Sequence, residues 1–229
     1  MILIKGYEGV IFMVGSIGAG RTNFNSLQPT TGKDVDIKVL SDNGNNSQSS
    51  QSGQFVKIND DIFVLTTAHG ANDDKQARVE LSNGNTLSGN TELNEEQDIA
   101  LIQVDDAEVK KAVDPSQIKE LSDDEVKPGD KLVAEGAFGG ENRAQDKEST
   151  VASVSQDEIT VDEKDSLVEG DSGSSVFATG DERNIVGIVQ GIETSTGPNG
   201  SDRKGQIIAL TPGSDGRKTV EELAQRLNV

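Results

Sequence analysis

Short apolar runs recur along the whole chain, rich in Val, Ile and Phe and bounded by Gly, Asn, Asp or Pro. They fall at 9–14, 35–40, 53–58, 62–66, 78–81, 99–104, 131–135, 149–154, 158–161, 175–177, 185–190 and 206–210. Runs this short, separated by turn residues, predict strands. Asn59-Asp60-Asp61, Asn83-Gly84 and Gly180-Asp181 each lie between two such runs, where a hairpin needs a turn. Long helical patterns between the strands are missing. The rhythm therefore predicts an all-β barrel or sandwich rather than repeated βαβ units.

Two stretches read as helix. Residues 115–121 carry a weak pattern. Residues 219–227 carry a better one: Thr219 and Glu222 form a capping box, and Val220, Leu223 and Leu227 share a face with Ala224. A short terminal helix against a β domain is expected. The segment 41–54, SDNGNNSQSSQSGQ, has no apolar side chain and one charge, Asp42, which predicts a surface loop. Residues 139–148 and 194–205 read as further soft regions. No repeat of solenoid or propeller period is present.

Composition narrows the function. The 229 residues include 21 Lys+Arg and 40 Asp+Glu, a formal charge of −19. That charge excludes a nucleic-acid backbone binder, which needs clustered cations, and disfavours anionic membrane surfaces. No window approaches the apolar length of a spanning helix. The run Val10-Ile11-Phe12-Met13-Val14 is too short for a signal-peptide core. A cytoplasmic location is expected if the chain is complete, a secreted one if a signal has been removed. With no cysteine there is no disulfide or thiolate chemistry, and with one histidine no histidine-rich zinc site. No cofactor or metal is expected. Asp73-Asp74 offers two oxygens toward a cation that needs six to eight, and the Gly15, Gly18, Gly20 cluster lacks the strand–turn–helix frame of a nucleotide site.

Three polar positions could carry chemistry. His69 follows the buried-strand pattern Ile62–Ala68, Asp98 leads into Ile99–Val104, and Ser172 sits in Glu169-Gly170-Asp171-Ser172-Gly173-Ser174-Ser175. Read singly, each has an ordinary explanation: a half-buried histidine, a turn aspartate, a glycine-rich surface turn. Read chemically, a carboxylate can fix an imidazole tautomer. Glycines let backbone amides converge beside a projecting hydroxyl.

Together, in this order, the segments Leu65-Thr66-Thr67-Ala68-His69, Asp98-Ile99-Ala100-Leu101-Ile102 and Gly170-Asp171-Ser172-Gly173 resemble the histidine, aspartate and nucleophile motifs of the trypsin/chymotrypsin-like serine proteases. The stretch Lys127–Gly136 also resembles the strand opening that family's second barrel. The similarity runs over about residues 53–211 and is nearest the disulfide-free bacterial or viral members. It implies two six-stranded antiparallel β barrels, one at 1–110 and one at 111–229 that includes the terminal helix, with the active site between them. It implies a serine endopeptidase working through an acyl-enzyme. Ser172 would be the nucleophile, His69 the base and Asp98 its orienting carboxylate, with the amides of Gly170 and Ser172 as oxyanion hole. The substrate would be a protein or peptide.

Departures accompany the resemblance. Gly70 stands where animal members usually have cysteine, and Ser174-Ser175 where many relatives have glycine and proline. No activation sequence is visible. Ser166, beside Asp165, matches the floor of the primary specificity pocket, Gln190, Gly191 and Ile192 match the substrate-binding strand, and Gly205 falls near a pocket wall. Asp165 facing inward would attract Lys or Arg, whereas Ser166 suggests a small or polar floor. An alternative is a binding or structural module that keeps the fold with little turnover. A third possibility is an enzyme cutting itself or one dedicated partner.

Overall fold

The computed structural model describes residues 37–42, 48–71, 76–82, 84–136, 147–162, 167, 171–197 and 200–228. Strands dominate them. The first six are β1 (Ile37–Asp42), β2 (Gln48–Ile58), β3 (Asp61–Thr67), β4 (Gln76–Leu81), β5 (Thr86–Asn94) and β6 (Ile99–Gln103). They pair antiparallel in the order β1-β4-β5-β6-β3-β2, and β2 returns to β1, closing a six-stranded barrel. Closure leaves no free sheet edge, which suits a chain with only 32% hydrophobic residues. Strand alternation sends Val39, Phe55, Val64, Val79 and Ile102 into its interior.

After β6, Asp105 caps the short helix α2 (Asp106–Ala112) through the amides of Ala107 and Glu108. A single 3-10 turn (Pro115–Gln117) leads to β7 (Lys119–Leu121). This three-residue strand lies parallel to β2 on one side and to the later strand β12 on the other. The remaining strands are β8 (Lys131–Glu135), β9 (Lys147–Val154), β10 (Glu158–Asp162), β11 (Ser175–Ala178), β12 (Asn184–Gly197) and β13 (Gly200–Ala209). Their order is β12-β11-β8-β9-β10-β13, and β12 also pairs with β13. Helix α3 (Asp215–Leu227) follows.

One core cluster joins the two groups of strands. Phe63, Leu65 and Leu101 from the barrel pack with Phe177, Ile185, Ile188 and Ile208, and α3 seals them with Val220, Leu223 and Ala224. Burying each large side chain of this kind stabilises the fold by roughly 1.5–3 kcal/mol.

Four local expectations need correction. The polar segment 41–54 is not a loop over its described part: 41–42 and 48–54 form an antiparallel β1–β2 ladder, because Gln51 and Ser52 find hydrogen-bond partners in the interior and Gly53 packs against Val64 and Val39. Residues 194–197 and 200–205 extend the β12–β13 hairpin. The weak helix at 115–121 is one 3-10 turn and β7, and the terminal helix starts at Asp215, capped by Ser214 rather than Thr219. The strand β5 carries only Leu87 and Leu93 as large apolar residues, too few to reveal it. The run at 9–14, the glycines at 15, 18 and 20, and Asp73-Asp74 lie outside the described residues.

Candidate active site

His69 owes its place to β3. That strand is buried from Ile62 onward and runs to Thr67, after which one helical turn, α1 (Ala68–Ala71), lifts the histidine to the surface. Asp98 comes from the neighbouring β6, whose Ile99 pairs with Thr67. It adopts a left-handed backbone (φ 53°), a conformation that aspartate tolerates better than most residues. Both its polar groups then face α1. The Asp98 carbonyl accepts from Ala68 N–H at 3.1 Å, and Oδ1 accepts from His69 N–H at 2.8 Å. The ring Nδ1 of His69 lies 2.8 Å from Oδ2 and 3.1 Å from Oδ1.

The pair is asymmetric in exposure: the histidine side chain is 51% exposed, the aspartate 13%. The hydrogen bond to Asp98 and its negative charge hold the imidazole above its usual pKa, against a smaller opposing effect of burial. With Nδ1 donating to the carboxylate, Nε2 is left as the proton acceptor. An imidazole held this way can act chemically as an oriented general base.

Ser172 lies in a tight turn. Ser174 N–H donates to Asp171 O at 3.0 Å, and Gly173 takes φ +81°, a left-handed position that favours glycine. Gly173 N–H donates to Val189 O and Val189 N–H to Ser174 O, so β12 fixes the turn from one side. Strand β2 fixes it from the other: Ser52 N–H donates to Ser172 O at 3.2 Å. Ser52 O in turn accepts from the Thr66 hydroxyl at 2.7 Å, and Thr66 lies three positions before His69. The strand that leads into the histidine turn and the serine turn thus meet at Ser52. The Ser172 hydroxyl itself donates to Gln190 O at 3.0 Å.

The pocket residues divide. Gln190 sits at a bulge in β12 with its carbonyl on Ser172, Gly191 pairs with Gln206, and Ile192 pairs with Gly205. Gly205 is packed so that an added Cβ would press on Leu167 and Val161. Asp165, Ser166 and Gly170 lie outside the described residues. Among the described residues no three His, Asp or Glu side chains gather as a metal site would require. No described helix is long and apolar enough to cross a membrane. The sequence pattern missed Gln51 and Ser52, since nothing in SSQSGQ marks a buried strand.

The profile of the trypsin-like peptidase domain matches residues 51–188. The chain belongs to this family of trypsin-like peptidases. Among solved structures it is similar to the serine endoprotease from Yersinia pestis, with 16% identity over 84% of this chain and 62% of that one, at a TM-score of 0.59. It is also similar to the HtrA-type protease AlgW with decapeptide, with 16% identity over 83% of this chain and 63% of that one, at a TM-score of 0.57. At that identity the likeness is one of fold, and the chain spans less than two thirds of either structure. No curated protein matches the chain.

Proposed function

We propose that the protein is a serine endopeptidase with Ser172, His69 and Asp98 as its catalytic residues. The observation that carries this reading is the docking of His69 on Asp98, through its amide and its ring nitrogen, directly after the strand β3 that Ser52 ties to the Ser172 turn. In this reading the Ser172 hydroxyl attacks the peptide carbonyl and His69 Nε2 takes its proton. The tetrahedral intermediate then collapses as the protonated imidazole returns that proton to the leaving amine. Water repeats the sequence on the acyl-enzyme. Asp98 holds the tautomer and stabilises the imidazolium. The amides of Ser172 and Gly170 would bind the oxyanion, each donor being worth about 2.7–4 kcal/mol in such sites. A rotation about the Ser172 Cα–Cβ bond, from Gln190 O toward His69, belongs to this mechanism.

The architecture proposed with it is a pair of barrels, β1–β6 within 1–110 and β8–β13 within 111–229, with the site between them. The closing pair β12–β13 supports the second barrel. The substrate would lie along Gln190–Ile192 of β12, with Asp165, Ser166 and Gly205 around its side chain. The decapeptide named with the HtrA-type relative makes a peptide ligand reasonable for this one too.

The test is labelling by a fluorophosphonate probe together with hydrolysis of a peptide library. Native protein should label and cleave, Ser172→Ala should do neither, and His69→Ala should lose turnover. Persistent labelling of Ser172→Ala would falsify the assignment. A second reading, a protease fold used mainly for binding, is favoured by the hydroxyl being donated to Gln190 rather than to the imidazole. Peptide binding without labelling or hydrolysis would decide for it.

A further inference from the structure

We propose that Gln51 is a positioning residue for His69, bracing the histidine turn from the side opposite Asp98; the catalytic part of this inference rests on the protease reading above. Gln51 is only 7% exposed, unusual for a glutamine. Both ends of its carboxamide are used on one residue. Nε2 donates to Thr67 O at 2.8 Å, and Oε1 accepts from Thr67 Oγ1 at 2.7 Å. Thr67 is the last residue of β3, two positions before His69.

The carboxamide also fills the space over Gly70, where an added Cβ would collide with Gln51 Oε1. The turn 67–70 is therefore gripped on two sides. Asp98 takes the amides of Ala68 and His69 and the ring Nδ1, and Gln51 takes the carbonyl and hydroxyl of Thr67 and closes over Gly70. The chain has no cysteine, so no disulfide can tie this turn. A hydrogen-bonded brace does so instead.

The placement of Gln51 gives the brace a second consequence. Its neighbour Ser52 holds the Ser172 turn by its backbone. Gln51 acts on the histidine turn through its side chain, while Ser52 acts on the serine turn through its backbone N–H. A two-residue segment of β2 thus touches both turns.

His69 is the only histidine, so its ring resonance in NMR is unambiguous. In Gln51→Met, which keeps the bulk and removes both hydrogen bonds, the imidazole should titrate closer to its ordinary value than in the native protein. The kcat for peptide hydrolysis should fall on the order of 10- to 100-fold, as small misplacements of reacting groups do, with KM changed less than about twofold. Gly70→Ala, which leaves Gln51 in the chain and displaces its carboxamide, should shift the titration in the same direction. Native-like His69 titration in both folded variants overturns the proposal; if Gln51→Met does not fold, Gly70→Ala decides alone. Absence of hydrolysis in the native protein sinks the protease reading instead, and the titration still tests the brace.

Discussion

Ser52 and Gly173 meet backbone to side: the Ser52 carbonyl occupies the space a Cβ on Gly173 would need, and the Thr66 hydroxyl lies 2.7 Å from the same point. The Ser172 turn is therefore seated on β2 with no room for a side chain. Gly173 also holds φ +81°, which costs other L-residues about 1–2 kcal/mol even in open space.

Gly173→Ala should consequently destabilise the protein by more than that conformational cost alone, because the collision is with a fixed carbonyl and not a flexible side-chain end. A thermal melt should show the midpoint falling by several degrees, and probe labelling at Ser172 should drop with it. An alanine variant with the native midpoint and native labelling would show that the turn is not seated as described.

The His69–Asp98 pair sets a pH dependence. The imidazole pKa is raised above about 6.5 by the carboxylate. On the protease reading turnover needs the neutral base, so activity should rise with pH through that raised value. Stability runs the other way. The protonated pair stabilises the fold fully below the unfolded-state pKa, and this contribution is lost as pH rises through the higher folded-state pKa. NMR titration of Asp98→Asn should move the His69 pKa down; an unchanged value would mean that the pair is not formed in solution.

Lys119 is a buried cation in the connecting strand β7, 8% exposed, with Nζ donating to Glu182 O at 2.7 Å and lying 5.1 Å from the centre of the Phe177 ring. Lys119→Met keeps most of the volume, leaves Glu182 O without this donor and removes the cation–π contact. The expected loss is about 1–2 kcal/mol. Urea unfolding should show a lower midpoint with an unchanged slope. A midpoint equal to or above that of the native protein would assign the lysine no stabilising part.

Ser214 caps α3 twice over. Its hydroxyl oxygen accepts from Arg217 N–H at 3.1 Å, and its proton goes to Ala209 O at 2.9 Å, which joins the helix to the end of β13. Ser214→Ala should cost about 0.5–2 kcal/mol. Hydrogen exchange should then quicken first in α3, whose Val220, Leu223 and Ala224 close the shared core. Uniform exchange across the chain would argue that the helix does not open separately.

How much of this was visible in the sequence depends on what each segment had to signal. Strands such as Lys131–Glu135 announce themselves because a short apolar run meets turn residues at both ends. Asp98 and His69 could be paired only through motif resemblance, since a separation of 29 residues carries no local period. The segment at Gln51-Ser52 was illegible for a physical reason. Its burial is satisfied by polar contacts to Thr67, Thr66 and the Ser172 turn, and hydrophobic patterning does not register these. The sequence places the start of α3 too late because Thr219 and Glu222 look like a capping box, while Ser214 caps from six residues before the apolar face begins at Val220.

The short strand β7 carries the last consequence. By pairing with Val56 and Lys57 of β2 on one side and with Asn184 and Ile185 of β12 on the other, it covers the stretches of those strands that lie past their ladders with β1 and β13. A nick or truncation in the connector that removed it would uncover two strand margins at once, each able to recruit a foreign chain. Fragments separated there should clump rather than persist as independent folded pieces.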